Sequence, residues 1–306
     1  LTYSIIWVSS KVSRYVFLNF RITDLGRFAL SSKASVIIPV YNGYKWVDGI
    51  IRSIAGNLNE VGELILINDG EARDFEKLIE ILRLNLSLPL IIIHTSGRQG
   101  PAVARNLGID QVKCEYIAFL DCDDIWLPAS LKKRIDLLVN NPLAPFAYCS
   151  WQYVTELGNP LNEYDVPNVT ELGKLLVTNY LALPSVVIRK EYLGNKRFPL
   201  IGHEDYGLWL DLLSHSSTHA VGMSGVGLQV RVVAGSTSSN KNKALRWHWA
   251  ILKNYGVPVA FRVLLFVGYA INAILKRKFR FSHPVFFGLD RLASYWSVRR
   301  IVRQDA

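Results

Sequence analysis

Cysteine is scarce in this 306-residue chain: Cys114, Cys122 and Cys149 are the only three, and no two are spaced as a pair. That excludes a disulfide framework and a cysteine-ligated zinc site, and it points to a reducing compartment. Cys122 lies between Asp121 and Asp123. Neighbouring carboxylates raise a thiol's pKa, so it reads as a spacer and not a nucleophile. Internal repeats, low-complexity stretches and a cleavable signal are also lacking. The apolar runs Ile5–Val8 and Tyr15–Leu18 are broken by Ser, Lys and Arg and are too short to span a bilayer. Leu1 in place of Met marks a fragment, a misplaced start or a non-standard one, and residues 1–33 read as an amphipathic extension.

Acids are few at both ends. Residues 241–306 hold 13 Lys and Arg against 2 acids, residues 1–33 hold 5 against 1, and residues 34–240 hold 17 against 22. The net charge of +10 therefore belongs to the termini. An acidic middle excludes a nucleic-acid groove across the main domain. Basic ends rich in Trp, Phe and Leu fit an anionic membrane surface. Half of the chain is apolar, enough for one large domain at residues 34–240 with a basic tail at 241–306.

From Ala34 onward, strand and helix patterns alternate. Strands are expected at 35–40, 63–68, 90–94 and 116–120, with helices at 45–58, 74–86 and 100–112 between them. Pro128 fits the first turn of a helix running to about Asn140. Further strands fit 146–150 and 185–189. This alternation implies a mostly parallel sheet covered by helices. Polar residues gather just past the strand ends: Tyr41-Asn42, Asp69-Gly70, residues 95–100 and Asp121–Asp124. Ligands of open α/β sheets bind there, although turns need the same residues for structural reasons.

The fourth strand delivers Asp121, Asp123 and Asp124 together. Carboxylates two apart in extended chain face the same side. Hard oxygen ligands favour Mg²⁺ or Mn²⁺ shared with substrate phosphates; the bland alternative is a solvated acidic turn. Farther on, Asp205, Leu208, Trp209 and Leu212 share one helical face, which sets an acid on the inward side of a helix start. Burial raises a carboxylate's pKa and a helix N-terminus lowers it. Glu204 or Asp205 acting only as a cap is the alternative.

Five motifs occur in order: Ser35-Val-Ile-Ile-Pro-Val-Tyr-Asn42, Ile67-Asn-Asp-Gly70, Gly100-Pro-Ala-Val-Ala-Arg-Asn-Leu-Gly108, Phe119-Leu-Asp-Cys-Asp-Asp124 and His203-Glu-Asp-Tyr206. Together, over about residues 34–235, they resemble the family 2 inverting glycosyltransferases of bacterial envelope polysaccharide synthesis. The resemblance implies a GT-A fold, a nucleotide diphosphate sugar donor (most often a UDP-sugar) and a divalent metal, Mn²⁺ or Mg²⁺. It implies that Pro39 and Tyr41 hold the nucleoside, that Asp69 accepts the uracil N3–H and that Arg105 serves the diphosphate or ribose. Asp121 falls at the ribose-side acid, Asp123 at the metal-binding acid, and Asp205 at the catalytic base. Asp124 and Glu204 are supporting residues, and Arg231 sits where a mobile donor-closing loop often begins. Processive members carry Gln-x-x-Arg-Trp, whereas Lys243-Ala-Leu-Arg246-Trp247 has Lys in the Gln place, so single-sugar addition is expected. The competing readings are a sugar-nucleotide nucleotidyltransferase, for which Tyr41-Asn-Gly-Tyr-Lys45 is a poor triphosphate loop, and a non-catalytic binding module.

In the tail, residues 257–275 are nearly all apolar, while Arg262, Tyr269, Asn272 and Lys276 fall within about 80° of the helical wheel. A narrow polar stripe on an apolar helix followed by Lys276-Arg-Lys278, with a second mixed segment at 285–302, fits helices lying in a lipid interface. A spanning helix and a helix packed on the domain are the alternatives. The resemblance implies a glycan or lipid-linked acceptor, which would set the active site beside the cytoplasmic face of the inner membrane.

Overall fold

In the computed structural model, residues 33–70, 72–214, 218–233, 241–278, 284–286, 288–294 and 296 are described. The apolar runs become strands: β1 (Ala34–Val40), β2 (Val61–Asn68) and β4 (Tyr116–Phe119) are buried on both faces, as inner parallel strands are, while β3 (Leu90–His94), at the sheet edge, is only half-buried. Between them lie α1 (Val47–Ala55), α2 (Ala72–Asn85) and α3 (Pro101–Ile109). Then follow β5 (Ile125–Trp126), α4 (Ser130–Asn140), β6 (Phe146–Val154), β7 (Pro160–Tyr164), β8 (Val169–Thr170), α5 (Leu172–Val177), β9 (Val187–Arg189), α6 (Lys190–Leu193), α7 (Glu204–Leu212) and β10 (Ala220–Arg231). Helices α8 (Lys241–Asn254) and α9 (Val259–Lys278) complete the regular elements.

One sheet runs in the order β3-β2-β1-β4-β9-β6-β10-β5, with β7 on β6 and β8 on β10. Pairs β1–β2, β1–β4, β2–β3 and β6–β10 are parallel, and β9 enters antiparallel between β4 and β6. The expected α/β fold with a mostly parallel sheet is present. Its chain order turns back beside β1, where β2 lies on one side and β4 on the other, so the carboxyl ends of four strands open onto one crevice. Helix α3 lies flush on this part: a Cβ at Gly108 would come within 2.6 Å of Ile37 Cγ2. Only glycine permits that approach.

Three details differ from the sequence expectation. Pro128 precedes α4 rather than opening it, and Ala129 at the N-cap has φ 57°. The cap comes from afar: Asn57 Oδ1 accepts the Leu131 N–H at 2.8 Å, and the Ala129 N–H reaches Gly56 O at 2.9 Å. Short strands β5, β7 and β8 are too brief to show alternation. Finally, the polar stripe of α9 points inward. The Arg262 guanidinium donates to Val257 O and lies 5.0 Å from the Trp249 ring; Tyr269 stacks on His248 at 4.0 Å; and Asn272 bonds both the N–H and C=O of Val285. The Lys276 side chain lies outside the described set, as do residues 297–302 of the second basic segment. Among the described residues no helix is long and apolar enough to cross a membrane.

Candidate active site

The strand ends enclose a cleft of about 530 Å³. Pro39, Val40 and Tyr41 come from the end of β1, and Asp69 from the end of β2. Arg98, Gly100, Pro101 and Arg105 come from the loop after β3 and the start of α3, while Asp121, Cys122 and Asp123 follow β4. Trp46, Glu204 and Trp247 close the opposite side. Two of the three non-glycine residues with positive φ among the described residues flank this cleft: Asn42 at 51° and His203 at 59°. Left-handed backbone costs an ordinary residue about 1 kcal/mol or more, and such strain collects at sites.

Asp69 is buried and carries three donors from one loop. Its Oδ1 accepts the Gln99 N–H at 2.7 Å and the Thr95 hydroxyl at 2.9 Å, and its Oδ2 accepts the Gly100 N–H at 2.8 Å. One acceptor position on Oδ2 stays open toward the cleft, since a carboxylate offers about four. The clamped loop holds Arg98, whose guanidinium sits 4.3 Å from the Tyr41 ring. Tyr41 is 49% exposed, an unusual position for a tyrosine unless a partner stacks there.

Arg105 joins the two halves of the cleft. Nη2 pairs with Asp121 and Nη1 with Glu204, both at 2.8 Å. Burial alone would lower its pKa, but Asp121, Glu204 and Asp205 outweigh that and raise it. A guanidinium so occupied is a brace between strand β4 and helix α7. Asp121, Cys122 and Asp123 all line the cleft and Asp124 is buried; the four sit in a turn closed by the Asp124 N–H on Asp121 O at 3.1 Å, not in the extended chain that the sequence suggests. Burial, and then the charge of Asp121, raises the Asp123 pKa. Burial pushes the Cys122 thiol far up, as do Asp121 and Asp123, and its Sγ–H donates to Pro39 O.

Asp124 is buried and accepts the Arg231 N–H at 3.0 Å; burial, Asp121 and Asp123 raise its pKa well above the ordinary range. Arg231 Nε donates to Asp123 O at 3.0 Å, Nη1 donates to Glu156 O, and the guanidinium lies 4.5 Å from the Trp46 ring. The side chain is therefore committed to the 121–124 loop and does not line the cleft.

Glu204 faces the cleft, and Asp205 lies half-buried behind it. Its Oδ1 accepts the Tyr206 N–H at 2.8 Å, and Asn179 stands 3.5 Å from Oδ2. Burial pushes its pKa up to about 7, with the Glu204 charge adding to the effect. The cap position of α7 belongs to His203 rather than to either acid. Helix α7 is fixed beneath by Leu208, Trp209 and Leu212, all buried, and by the Tyr206 hydroxyl donating to Leu175 O at 2.8 Å.

Trp247 of α8 lies on Gly202, where a Cβ would fall within 1.8 Å of its ring. Its place in the lining, like those of Trp46 and Arg98, has no periodic signal in the sequence. For Trp247 the one hint was the Arg246-Trp247 pair.

The residues suit a divalent ion. Asp121 and Asp123 offer hard oxygen donors on one wall of the cleft. Among the described residues no group of three or more acids, histidines or cysteines could hold an ion alone. One or two carboxylates plus substrate phosphates are the usual Mg²⁺ arrangement.

The profile described as Glycosyl transferase family 2 matches residues 35–164. An uncharacterized glycosyltransferase of Haemophilus influenzae is 31% identical over 251 residues, covering 80% of this chain and 97% of that one. The UDP-Glc:alpha-D-GlcNAc-diphosphoundecaprenol beta-1,3-glucosyltransferase WfaP of Escherichia coli is 29% identical over 81% of this chain and 96% of its own. Among solved structures, Staphylococcus aureus TarS 1-349 in complex with UDP-GlcNAc superposes with a TM-score of 0.60 at 18% identity, over 80% of this chain and 73% of that one. That likeness extends the α/β, GT-A-like fold beyond the profile match. Strand-end cleft, motif order and relatives agree: the chain belongs to glycosyl transferase family 2, enzymes that act on nucleotide sugars.

Proposed function

We propose that the protein transfers one sugar, with inversion, from a UDP-sugar to a hydroxyl of a lipid-linked glycan during envelope polysaccharide assembly. The observation that carries this reading is the Arg105 brace, which brings Asp121 of the strand-end wall and Glu204 of the Glu-Asp pair into one cleft. Tyr41 offers a face to the base, Asp69 an acceptor to its N3–H, and Asp121 a carboxylate to the ribose. Arg105 acts on the donor by fixing Asp121. Pro39 shapes the floor of the nucleoside pocket.

Glu204 is engaged by Arg105, and the proton is assigned to its neighbour Asp205. A base with a pKa near the working pH is the efficient one, and Asp205 lies at about 7. The acceptor oxygen attacks the anomeric carbon, the bond from that carbon to the diphosphate oxygen breaks, and the hydroxyl proton passes to the Asp205 carboxylate. Asp123, with Asp121, would hold Mn²⁺ or Mg²⁺, which when bound supplies positive charge beside the departing diphosphate. Asp124 and Arg231 hold the loop that presents these two acids. The lipid-linked acceptor is read across from the Escherichia coli relative; with such an acceptor the enzyme would work peripherally at the cytoplasmic face of the plasma membrane.

The test is a screen of nucleotide sugars for metal-dependent binding, followed by transfer onto membrane lipid extracts with the released nucleotide identified. Release of UDP and a lengthened lipid-linked glycan is the expected result. Release of pyrophosphate would instead make the protein a nucleotidyltransferase, and binding without turnover a binding module.

A further inference from the structure

Helix α9 is amphipathic in the reverse sense to a surface helix. Its polar stripe is turned into the protein, where Arg262 and Asn272 are buried and Tyr269 lies against His248. Its outward side is left to Val259, Val263, Leu264, Val267, Ile271 and Ile274, all exposed, Val259 by 63% and Ile274 by 57%. At about 100° per residue, the five from Val263 to Ile274 fall within a sector of about 100°, opposite the buried side. Ala260 also falls in that sector, and Lys278 joins it only at the helix's last residue. A solvated helix places charge there. Over 16 residues the stripe is about 23 Å long.

The charge of its own segment is predominantly basic. The stripe runs into Lys276-Arg277-Lys278, and residues 241–306 hold 13 basic residues against 2 acids. An apolar face with basic flanks matches a bilayer surface carrying anionic headgroups. It does not match a second copy of the same basic segment, which would set like charges against one another. The helix also packs on the rest of the protein, where a Cβ at Gly268 would lie 3.4 Å from Val177 Cγ1 and Tyr269 stacks on His248 of α8, and among the described residues no helix is long and apolar enough to cross a bilayer.

We infer that the outward face of α9, Val259 to Ile274, is a lipid-docking surface that lays this helix flat in the headgroup region of an anionic leaflet. The inference deepens the reading of a lipid-linked acceptor. Helix α8, whose Trp247 lines the cleft, leads directly into α9, so docking ties the wall that holds Trp247 to the helix on the membrane.

Flotation of the full chain with phosphatidylglycerol/phosphatidylcholine vesicles free of glycan tests it. Val267→Gln/Ile271→Gln alters only outward positions. It is expected to lower vesicle affinity at least about tenfold while leaving melting temperature and UDP binding unchanged. Replacing Lys276, Arg277 and Lys278 with Gln is expected to remove the preference for phosphatidylglycerol over pure phosphatidylcholine. Native affinity in the double variant would overturn the inference. So would a vesicle-free dimer that the double variant abolishes while vesicle binding persists, since a second copy would then cover the face. Absence of transfer in every variant, with the expected flotation pattern, would sink the enzymatic reading and leave this one standing.

Discussion

Two walls of the cleft are built by opposite means. The wall formed by β1 to β4 presents its polar groups from strand ends: Tyr41, Asp69, Asp121 and Asp123 each follow an apolar run that is wholly or partly buried. The wall formed by α7 and α8 presents Glu204 and Trp247 from helices held by side-chain packing, with Gly202 and His203 folded tightly beneath the indole. A strand-end wall takes its shape from backbone pairing and tolerates change in the exposed groups. A packed-helix wall has no such frame, so altering one side chain moves the others. The difference teaches that residues of equal chemical weight carry unequal structural weight.

The sharpest break of that comparison is Asp205→Asn. UDP binding is expected to persist, while transfer falls roughly 10²- to 10⁴-fold, measured by single-turnover transfer beside calorimetric binding. The same residue sets the pH response. Burial raises its pKa to about 7, so the rate should climb as pH rises towards 7 and level off above it. Between the ordinary carboxylate range and about pH 7, the folded chain keeps a proton that the unfolded chain has lost. Stability from this group therefore falls as pH rises through that window. Melting should accordingly occur at higher temperature in Asp205→Asn than in the native protein at pH 8, with the gap closing towards pH 4.

Arg105→Met probes the link between the walls. Removing one partner of a buried pair costs about 3–5 kcal/mol, and the part-exposed Asp121 and Glu204 put this case near the lower end. Urea unfolding measures it, and native stability would show the brace to be idle. Asp123→Asn should weaken UDP-sugar binding in Mn²⁺ buffer and leave the residual binding in EDTA unchanged; titrations in the two buffers compare them. The smallest effect belongs to Arg231. Lysine keeps the charge but not the planar fork or the stack on Trp46. Arg231→Lys should therefore impair transfer as much as Arg231→Ala, and full activity in the lysine variant would mean that the cation itself reaches phosphate.

The strand-end wall was largely legible in the amino-acid order. Strands buried on both faces read as apolar runs, and polar residues after them read as ligand loops. What escaped has a common physical cause, namely contact with distant chain. Asn57 caps α4 across the fold, so Pro128 misleads locally. Arg231 reads equally as a phosphate contact or an edge-strand residue, and its Nε and Nη1 bonds to Asp123 O and Glu156 O join segments far apart in the chain. The polar sector of α9 was identified correctly by periodicity, but periodicity does not say which side faces the protein. The Glu-Asp pair was visible as a motif, whereas the bond that joins Glu204 to Arg105, 99 residues away, was not.

The grip of Asp69 on residues 95–100 has an evolutionary consequence. An acid suited to reading a nucleobase is also the latch of the loop that carries Arg98. Exchanging it to admit a different base would release Thr95, Gln99 and Gly100 in the same stroke. A lineage changing its donor nucleotide would thus need to acquire a new latch alongside a new reader, which makes nucleotide choice slower to drift than the sugar or the acceptor.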